Sequence, residues 1–306
     1  MKRCLIFFLS FGITQCYFSD KYQEYFFKTL KTCHKIKELS IYPTKAIYSI
    51  PPCDEKLQVS LGNVTIFKKN IFHNLTALKI ITIFGSPKDG IIRFENNTID
   101  FSKNQILKKC KLLNVGLNES TIIKLPESGS RLNEIDLSGN KFKTFDLSIL
   151  KDSKHLRVLN LNSNQLSNLA GNFSKLLKLA KIRMSSNQIS FLPKKLLNTI
   201  RAPQLIAIFL HDNKYRNLND LNFHEISLHH KDIKIYLGQN DINCECPSSP
   251  ILLEGIKLER IVGECSDGEK LKNAINECNS VKESNSKNSV STFIITISLF
   301  LLHLLV

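Results

Sequence analysis

Residues 132–142, Leu-Asn-Glu-Ile-Asp-Leu-Ser-Gly-Asn-Lys-Phe, and residues 156–166, Leu-Arg-Val-Leu-Asn-Leu-Asn-Ser-Asn-Gln-Leu, share the pattern L-x-x-L-x-L-x-x-N-x-L. The pattern returns at 179–189 and 205–215, and residues 235–242 keep its second half. One asparagine ends the strand part of each copy: Asn140, Asn164, Asn187, Asn213 and Asn240. Successive asparagines are 24, 23, 26 and 27 residues apart. A near-constant period of this size predicts a solenoid of stacked coils.

The Leu-x-Leu unit inside each copy is typical of a short strand, because alternate side chains of a strand point to opposite faces. The leucines then point into the coil and stack on those of neighbouring coils, which forms one continuous core. The asparagine amide can both donate and accept, so at the turn it satisfies backbone groups of its own coil and of the adjacent one. The sequence therefore predicts an α/β solenoid, curved, with a parallel β-sheet on its concave face.

On these five copies the chain resembles the extracellular leucine-rich-repeat proteins. We expect repeats over 57–239, about seven or eight in number. Residues 57–59 begin an early coil, and residues 72–83 fit the end of one repeat and the start of the next. Leu112-x-x-Val115-x-Leu117 fits a further copy, with Ser120 at the asparagine position.

Residues 84–111 do not fit the repeat cleanly. Ile92-x-Phe94-x-x-Asn97 and Ile99-x-Phe101-x-x-Asn104 both match its second half, but they cannot both be whole repeats. We therefore expect one irregular coil here.

Four cysteines follow the last repeat, at Cys244, Cys246, Cys265 and Cys278. They resemble the cysteine-rich C-terminal cap of the same proteins, placed here at 240–280, although Asp241-Ile242 stands where the family usually has Pro-Trp. The resemblance implies the pairs Cys244–Cys265 and Cys246–Cys278. The sequence alone allows three connectivities, and a zinc site is the alternative to disulfides.

Residues 17–56 are expected to form a reduced N-terminal cap, in which Cys33 pairs with Cys53. Cys110 is then left over. It is either a buried free thiol, a partner of Cys33 or Cys53, or a bridge to another chain.

The two ends of the chain predict its location. Residues 1–16 carry a basic start and a short apolar run, which is typical of a signal peptide. Residues 281–306 combine a polar spacer with an apolar tail, the pattern of a glycosylphosphatidylinositol (GPI) signal, with Ser284 or Asn285 as the attachment residue. A short single-pass anchor and a buried terminal helix are the alternatives. We expect the mature chain at the cell surface, on the extracellular side of the plasma membrane.

Five N-x-S/T triplets are candidate glycosylation sites in a secreted protein: Asn63, Asn74, Asn96, Asn118 and Asn172. We expect Asn118 on the concave side at a strand end, where a glycan would block the N-terminal part of that face. The formal net charge is +15, but the lysines are spread through the whole chain. This spread favours a composition bias, with binding of anionic glycans as the alternative, and it does not predict a nucleic-acid partner.

No motif of a nucleotide-binding loop, a zinc protease or a serine hydrolase occurs in the 306 residues, so we expect no enzyme, no cofactor and no catalytic or metal site. Binding residues are expected on the concave face instead. Its N-terminal half is acidic and polar, whereas its C-terminal half presents cations and aromatics, which are enriched at interface hot spots. The candidates for partner binding are Lys181, Arg183, Phe209, His211, Lys234 and Tyr236.

The sequence therefore favours a non-enzymatic cell-surface protein that recognises another extracellular or cell-surface protein, or mediates adhesion, through its concave face. Two alternatives remain. One is a secreted matrix protein that binds anionic glycans, and the other is a decoy or co-receptor for a larger receptor of similar fold.

Overall fold

A computed structural model gives the fold of the 306-residue chain. It describes the strands at 13–17, 38–42 and 46–47, and then the following residues: 55–60, 65–67, 70–85, 92–127, 130–221, 226, 230, 232–246 and 260–280. The expected Cys33–Cys53 bridge, the Asn63 glycosylation site and the expected anchor at 281–306 lie outside the described residues.

Short strands dominate the described chain. In order they are β1 Ile13–Tyr17, β2 Glu38–Tyr42, β3 Ala46–Ile47, β4 Lys56–Ser60, β5 Thr65–Phe67, β6 Ile80–Phe84, β7 Ile92–Phe94, β8 Thr98–Asp100, β9 Lys109–Leu113, β10 Ile122–Lys124, β11 Glu134–Asp136, β12 Thr144–Asp146, β13 Val158–Asn160, β14 Asn168–Ala170, β15 Lys181–Arg183, β16 Ala207–Phe209, β17 Lys234–Tyr236 and β18 Ile261–Val262. Helical pieces lie at Glu95–Asn97, Leu147–Leu150, Lys194–Leu197, Leu218–Leu221 and 271–280.

One long sheet, of eleven strands in the described part of the chain, runs the length of the molecule in the order β1-β2-β4-β6-β9-β11-β13-β15-β16-β17-β18. Every pair in it is parallel. The remaining strands form smaller parallel sheets on the return side of the coils, β3-β5-β7, β8-β10 and β12-β14. The predicted leucine-rich-repeat solenoid is confirmed: from β4 to β17 the long sheet has eight successive strands, which are separated by seven turns of the chain.

The core follows the alternation that the repeat pattern predicts. In β11 the side chain of Ile135 is buried while Glu134 and Asp136 on either side are half-buried, and Leu137 then returns to the core. Equivalent residues of successive coils pack into one continuous cluster that extends from Leu57 into the cap. Each coil therefore buries its leucines against its neighbours, which is how a solenoid obtains a hydrophobic core.

The repeat asparagines form a ladder of buried amides along the end of the long sheet. Asn164 Nδ2 donates to the carbonyl oxygens of Leu137 and Leu161, both at 3.1 Å, and its Oδ1 accepts from Phe142 N at 3.2 Å. The same arrangement holds at the other copies: Asn140, Asn187, Asn213 and Asn240. Each amide thus joins two coils, and each buried backbone group left unpaired would cost roughly 1–3 kcal/mol.

The predicted register of the coil that contains Leu112 is wrong by five residues. Cys110 lies opposite Ile135 in the sheet, and Asn140 Oδ1 accepts from Val115 N and Leu117 N. Val115 therefore occupies the ladder position that the sequence assigned to Ser120. The pattern is misleading here because a cysteine replaces the strand leucine and a valine replaces the asparagine.

The irregular region between β6 and β9 is one long coil. Ile92–Phe94 pairs with β5, and Thr98–Asp100 pairs with β10, so both segments belong to the return side. Asn104 Nδ2 donates to the carbonyls of Phe72 and Leu75, at 3.0 and 2.7 Å. Neither segment is a whole repeat.

The C-terminal cap has both disulfides that the resemblance implies, Cys244–Cys265 and Cys246–Cys278. All four sulfurs are used, so the zinc alternative is wrong. Ile242 is fully buried and fills the position where the family has an aromatic residue. Cys110 is a buried free thiol and makes no bridge to Cys33 or Cys53.

The first strand overlaps the predicted signal peptide. β1 ends at Tyr17 and pairs with β2, whereas the predicted cleavage follows Cys16. A chain processed there would begin the long sheet at β2. Among the described residues, no helix has the length and apolar character that a membrane span needs.

Candidate functional site

The sheet face is the outward side of the long sheet, which corresponds to the predicted concave face. Its middle row places Arg183, Phe209 and Tyr236 directly opposite one another on β15, β16 and β17. The rings of Phe209 and Tyr236 stack with centroids 4.6 Å apart and planes 4° from parallel. Arg183 Cζ lies 5.8 Å from the centroid of the Phe209 ring, within cation–π range.

These three side chains, the aromatic row, are half-buried rather than sunk into the core. Their strands are held by backbone hydrogen bonds to both neighbours, so the row is fixed before any partner arrives. Aromatic and arginine side chains with a preset geometry are the types that carry most binding energy at protein interfaces. The structure thus brings together three of the six predicted binding residues in direct contact.

The other three predicted residues flank the aromatic row. Lys181 and Lys234 lie on one side, with the small Ala207 between them in register. His211 lies on the other side, where its Nδ1 is 2.9 Å from Ser185 Oγ. Ser185 is buried and its backbone N–H donates to Asn162 Oδ1, so the imidazole is positioned by a fixed group.

At the C-terminal end of the sheet face, the sequence did not predict Val262. Val262 in β18 lies opposite Tyr236 and is 43% exposed, so it extends the row into the cap. No repeat asparagine follows β18, so the repeat pattern does not mark it as a strand. The one sequence feature that pointed to a strand was Ile261 next to Val262, of which the first is buried and the second exposed, in a segment expected to belong to the cap.

The N-terminal half of the sheet face differs from the acidic surface that we expected. Lys109 Nζ lies 2.9 Å from Glu134 Oε2, and Lys111 Nζ lies 2.6 Å from Glu134 Oε1. Burial alone would raise the pKa of Glu134, but hydrogen bonds and charges from the two lysines outweigh it and hold the pKa below its usual value. Both lysines were missed because the predicted register of β9 was wrong.

An open groove of about 510 Å³, called the basic groove here, lies beside the aromatic row. Its uncharged or acidic lining residues are Glu134, Val158, Ala180 and Gln204. Its cations are Arg157, Lys181 and Arg183. Arg157 directly precedes β13, at the end of the sheet where the strands begin. Its backbone carbonyl accepts from Ala180 N at 2.8 Å and Lys181 N at 3.0 Å.

The described candidate glycosylation sites all lie away from the sheet face, in the return segments. Asn74, Asn96 and Asn172 are exposed, and Asn118 is half-buried. The expected placement of Asn118 on the concave side is wrong, because the true coil ends its strand at Leu113 and Asn118 follows Leu117 on the way to β10. Use of any of these sites stays a prediction.

The described residues contain no group of His, Cys, Asp or Glu side chains arranged to hold a metal ion. What the sheet face offers is contact chemistry: stacked rings, a guanidinium above a ring, and cations beside a groove.

Known proteins agree with this fold. A family model described as leucine rich repeat matches residues 130–189. Lumican of Gallus gallus and of Coturnix japonica are each 26% identical over 183 residues, which cover 58% of this chain and 49% of theirs. The chain thus spans about half the length of these curated relatives.

The chain also matches two solved structures. A chain of the mouse RP105/MD-1 complex matches with a TM-score of 0.52 and 18% identity, covering 69% of this chain and 35% of that one. The Listeria monocytogenes internalin-like protein lmo2027 matches with a TM-score of 0.49 and 16% identity, covering 68% and 60%. The matched family model describes a structural repeat and no catalytic family.

Proposed function

We propose that this chain is a non-enzymatic extracellular recognition protein that binds a protein partner through the C-terminal half of its sheet face. The observation that carries the proposal is the aromatic row, in which Arg183, Phe209 and Tyr236 are in contact, half-exposed and in register on three strands. A side chain in the core would be covered by the next coil, whereas these face outward where no further element packs on them in the described residues.

The entropy lost when side chains are immobilised on binding also favours this surface. A flexible aromatic side chain loses rotamer freedom when a partner immobilises it, at about 0.5–1.5 kcal/mol for each side chain. Here each ring is already restrained by the other, and Arg183 is restrained above Phe209. The row can therefore contribute its apolar area to a complex with little further ordering.

The compartment is inferred from covalent chemistry. The two cap disulfides are of the kind that forms and persists in oxidising environments such as the secretory pathway and the cell exterior. Glycans on the described N-x-S/T triplets would project from the return side and leave the sheet face open. A protein partner is also consistent with the mouse relative, whose structure is a complex of RP105 with MD-1.

The mode of attachment completes the proposal. Residues 1–16 direct the chain into the secretory pathway, and the segment after Ser284 or Asn285 is cleaved off as a GPI anchor is joined to that residue. A mature chain of this kind displays the solenoid outside the cell, where it acts in recognition or adhesion. A matrix protein that binds glycans through its lysines is the competing candidate, favoured by the net charge of +15.

The test is a binding screen. Cells that express the full chain are exposed to a library of purified extracellular domains, and any partner found is measured again on variants. Phe209→Ala and Tyr236→Ala should each weaken binding about tenfold or more, as expected for hot-spot aromatics. Phe191→Ala is the matched control, because Phe191 is 50% exposed but lies outside the sheet face.

Normal binding by both sheet-face variants would contradict the proposed surface. Capture of sulfated glycans in place of any protein, with loss of binding at moderate salt, would favour the matrix alternative.

A further inference from the structure

We infer that the basic groove takes an acidic segment of the protein partner, with carboxylates on Arg157, Lys181 and Arg183 and an adjacent apolar side chain on the aromatic row. This rests on the proposed function and specifies the chemistry of the partner. The first step is that the three cations of the groove have no carboxylate within ion-pair distance in the part of the chain that the structure describes. Three cations gathered around one groove repel one another, and an incoming anion relieves that repulsion.

The second step concerns Glu134, the one acidic residue that lines the groove. Each of its carboxylate oxygens already faces a lysine, Oε2 with Lys109 and Oε1 with Lys111. Glu134 is therefore neutralised from the N-terminal side of the face and does not compensate the groove cations. The positive charge of the groove remains available to a ligand.

The third step is geometric. Arg183 belongs to both surfaces, since it lines the groove and lies over the Phe209 ring. A guanidinium that lies over a ring keeps its N–H groups available, and these can donate to a carboxylate. If a carboxylate of the partner binds Arg183, the side chain of the next residue in the partner is close to the Phe209 and Tyr236 rings. The site therefore fits a segment in which acidic and apolar side chains are neighbours.

The fourth step decides between an acidic protein segment and a sulfated glycan. A sulfated glycan is a continuous polyanion, and along the middle row of the sheet face it would meet Asp136 and the buried Asn160 next to Arg183. It would also leave the stacked rings unused. A short cationic groove beside an aromatic row is matched better by a peptide with acidic and apolar side chains than by a sulfated glycan.

The experiment uses the purified full chain immobilised on a sensor, so that its outcome does not depend on the anchor. The probe is streptavidin loaded with the biotinylated peptide Gly-Gly-Glu-Asp-Phe-Glu-Glu-Leu, because four copies raise a weak affinity into a measurable range. The comparison probes are the amide peptide Gly-Gly-Gln-Asn-Phe-Gln-Gln-Leu and biotinylated heparin on the same streptavidin.

The expected result is binding of the acidic probe and about tenfold weaker binding or none of the amide probe, since two or more charge-assisted contacts are lost. The double variant Arg157→Gln with Arg183→Gln should lose about as much. Arg183→Lys should keep part of the binding, because it retains the charge. Arg216→Gln is the matched control, an exposed arginine outside the groove, and should bind like the parent.

Several outcomes overturn the inference: equal binding of the acidic and amide probes, unchanged binding by the double variant, no binding of the acidic probe, or binding of heparin alone. These outcomes are distinguishable from failure of the proposed function. A partner from the screen that needs Tyr236 but tolerates the double variant would keep the function and reject the acidic-segment inference.

Discussion

Cys110 lies directly opposite Ile135 in the long sheet, so a thiol occupies the core position that an aliphatic side chain has in the next coil. Burial raises the pKa of this thiol to about 12, and the nearby Asp136 carboxylate adds to the rise. The cysteine that the sequence left unpaired is therefore a packing residue.

The chemistry of Cys110 in the native chain follows from its burial. Since the thiolate is the reactive form, Cys110 should resist iodoacetamide at a pH of about 8 in the folded protein and react in urea. Peptide mapping by mass spectrometry reports modification at this one site, whatever the state of the other cysteines. Alkylation at the same rate with and without urea would show that the thiol is accessible.

The repeat period predicted the coils from β11 to β17 and the direct opposition of Arg183, Phe209 and Tyr236. The reason is physical: the buried asparagine amides fix the register of each coil against the next, and the same asparagines are visible in the sequence. Where a ladder asparagine is present, the side that each strand residue faces follows from counting.

The sequence was insufficient where another residue does the same work. Cys110 packs as a leucine would, and Val115 stands at the ladder position, where its backbone N–H donates to Asn140 Oδ1 but its side chain has no amide. Counting from Leu112 therefore placed Lys109 and Lys111 wrongly. As a result, their ion pairs with Glu134 were not predicted. The groove was also beyond prediction, because it depends on Arg157, at a variable position of the repeat pattern, and on Gln204, which precedes the next copy.

The asparagine ladder should dominate the stability of single coils. Asn164→Ala removes two donations to buried carbonyls and one acceptance from a buried N–H, so we expect the free energy of unfolding to fall by about 3 kcal/mol. Urea unfolding followed by circular dichroism, with disulfides intact, measures this. Asn219→Ala, at an exposed position, should change it by less than about 0.5 kcal/mol. Similar losses in both variants would contradict the role given to the ladder.

Glu134 should contribute to stability in a pH-dependent way. Its folded-state pKa is held below the usual 4.5, so its contribution is present above that value and is lost as the pH falls through the folded pKa. Glu134→Gln should therefore lower the free energy of unfolding by up to about 1 kcal/mol at neutral pH, and this difference should shrink in acid.

The control for this experiment is Glu127→Gln, which removes an exposed carboxylate that has no lysine within ion-pair distance among the described residues. Chemical denaturation of parent and both variants at neutral and acidic pH gives the comparison. A difference for Glu134→Gln that grows in acid would have the wrong sign for a lysine-paired carboxylate.

The anchor can be tested on intact cells. A phosphatidylinositol-specific phospholipase should release the full-length protein from expressing cells if residues 281–306 direct GPI attachment. Surface staining and immunoblotting of the medium measure the release, and a protein with a transmembrane helix in the same cells serves as the control. Retention would favour a short membrane anchor, and protein already in the medium before treatment would favour the matrix alternative.

The strand β18 makes the cap a part of the recognition surface as well as a seal for the core. Val262 continues the row of Tyr236, and its strand lies in the segment that is closed by the Cys244–Cys265 and Cys246–Cys278 bridges. Each coil of a solenoid is stabilised mainly by its nearest neighbours, so incorrect oxidation of the cap would disturb the last strands first. Correct disulfide formation in the cap would then decide whether the chain can bind its ligand, even while most of the solenoid stays folded.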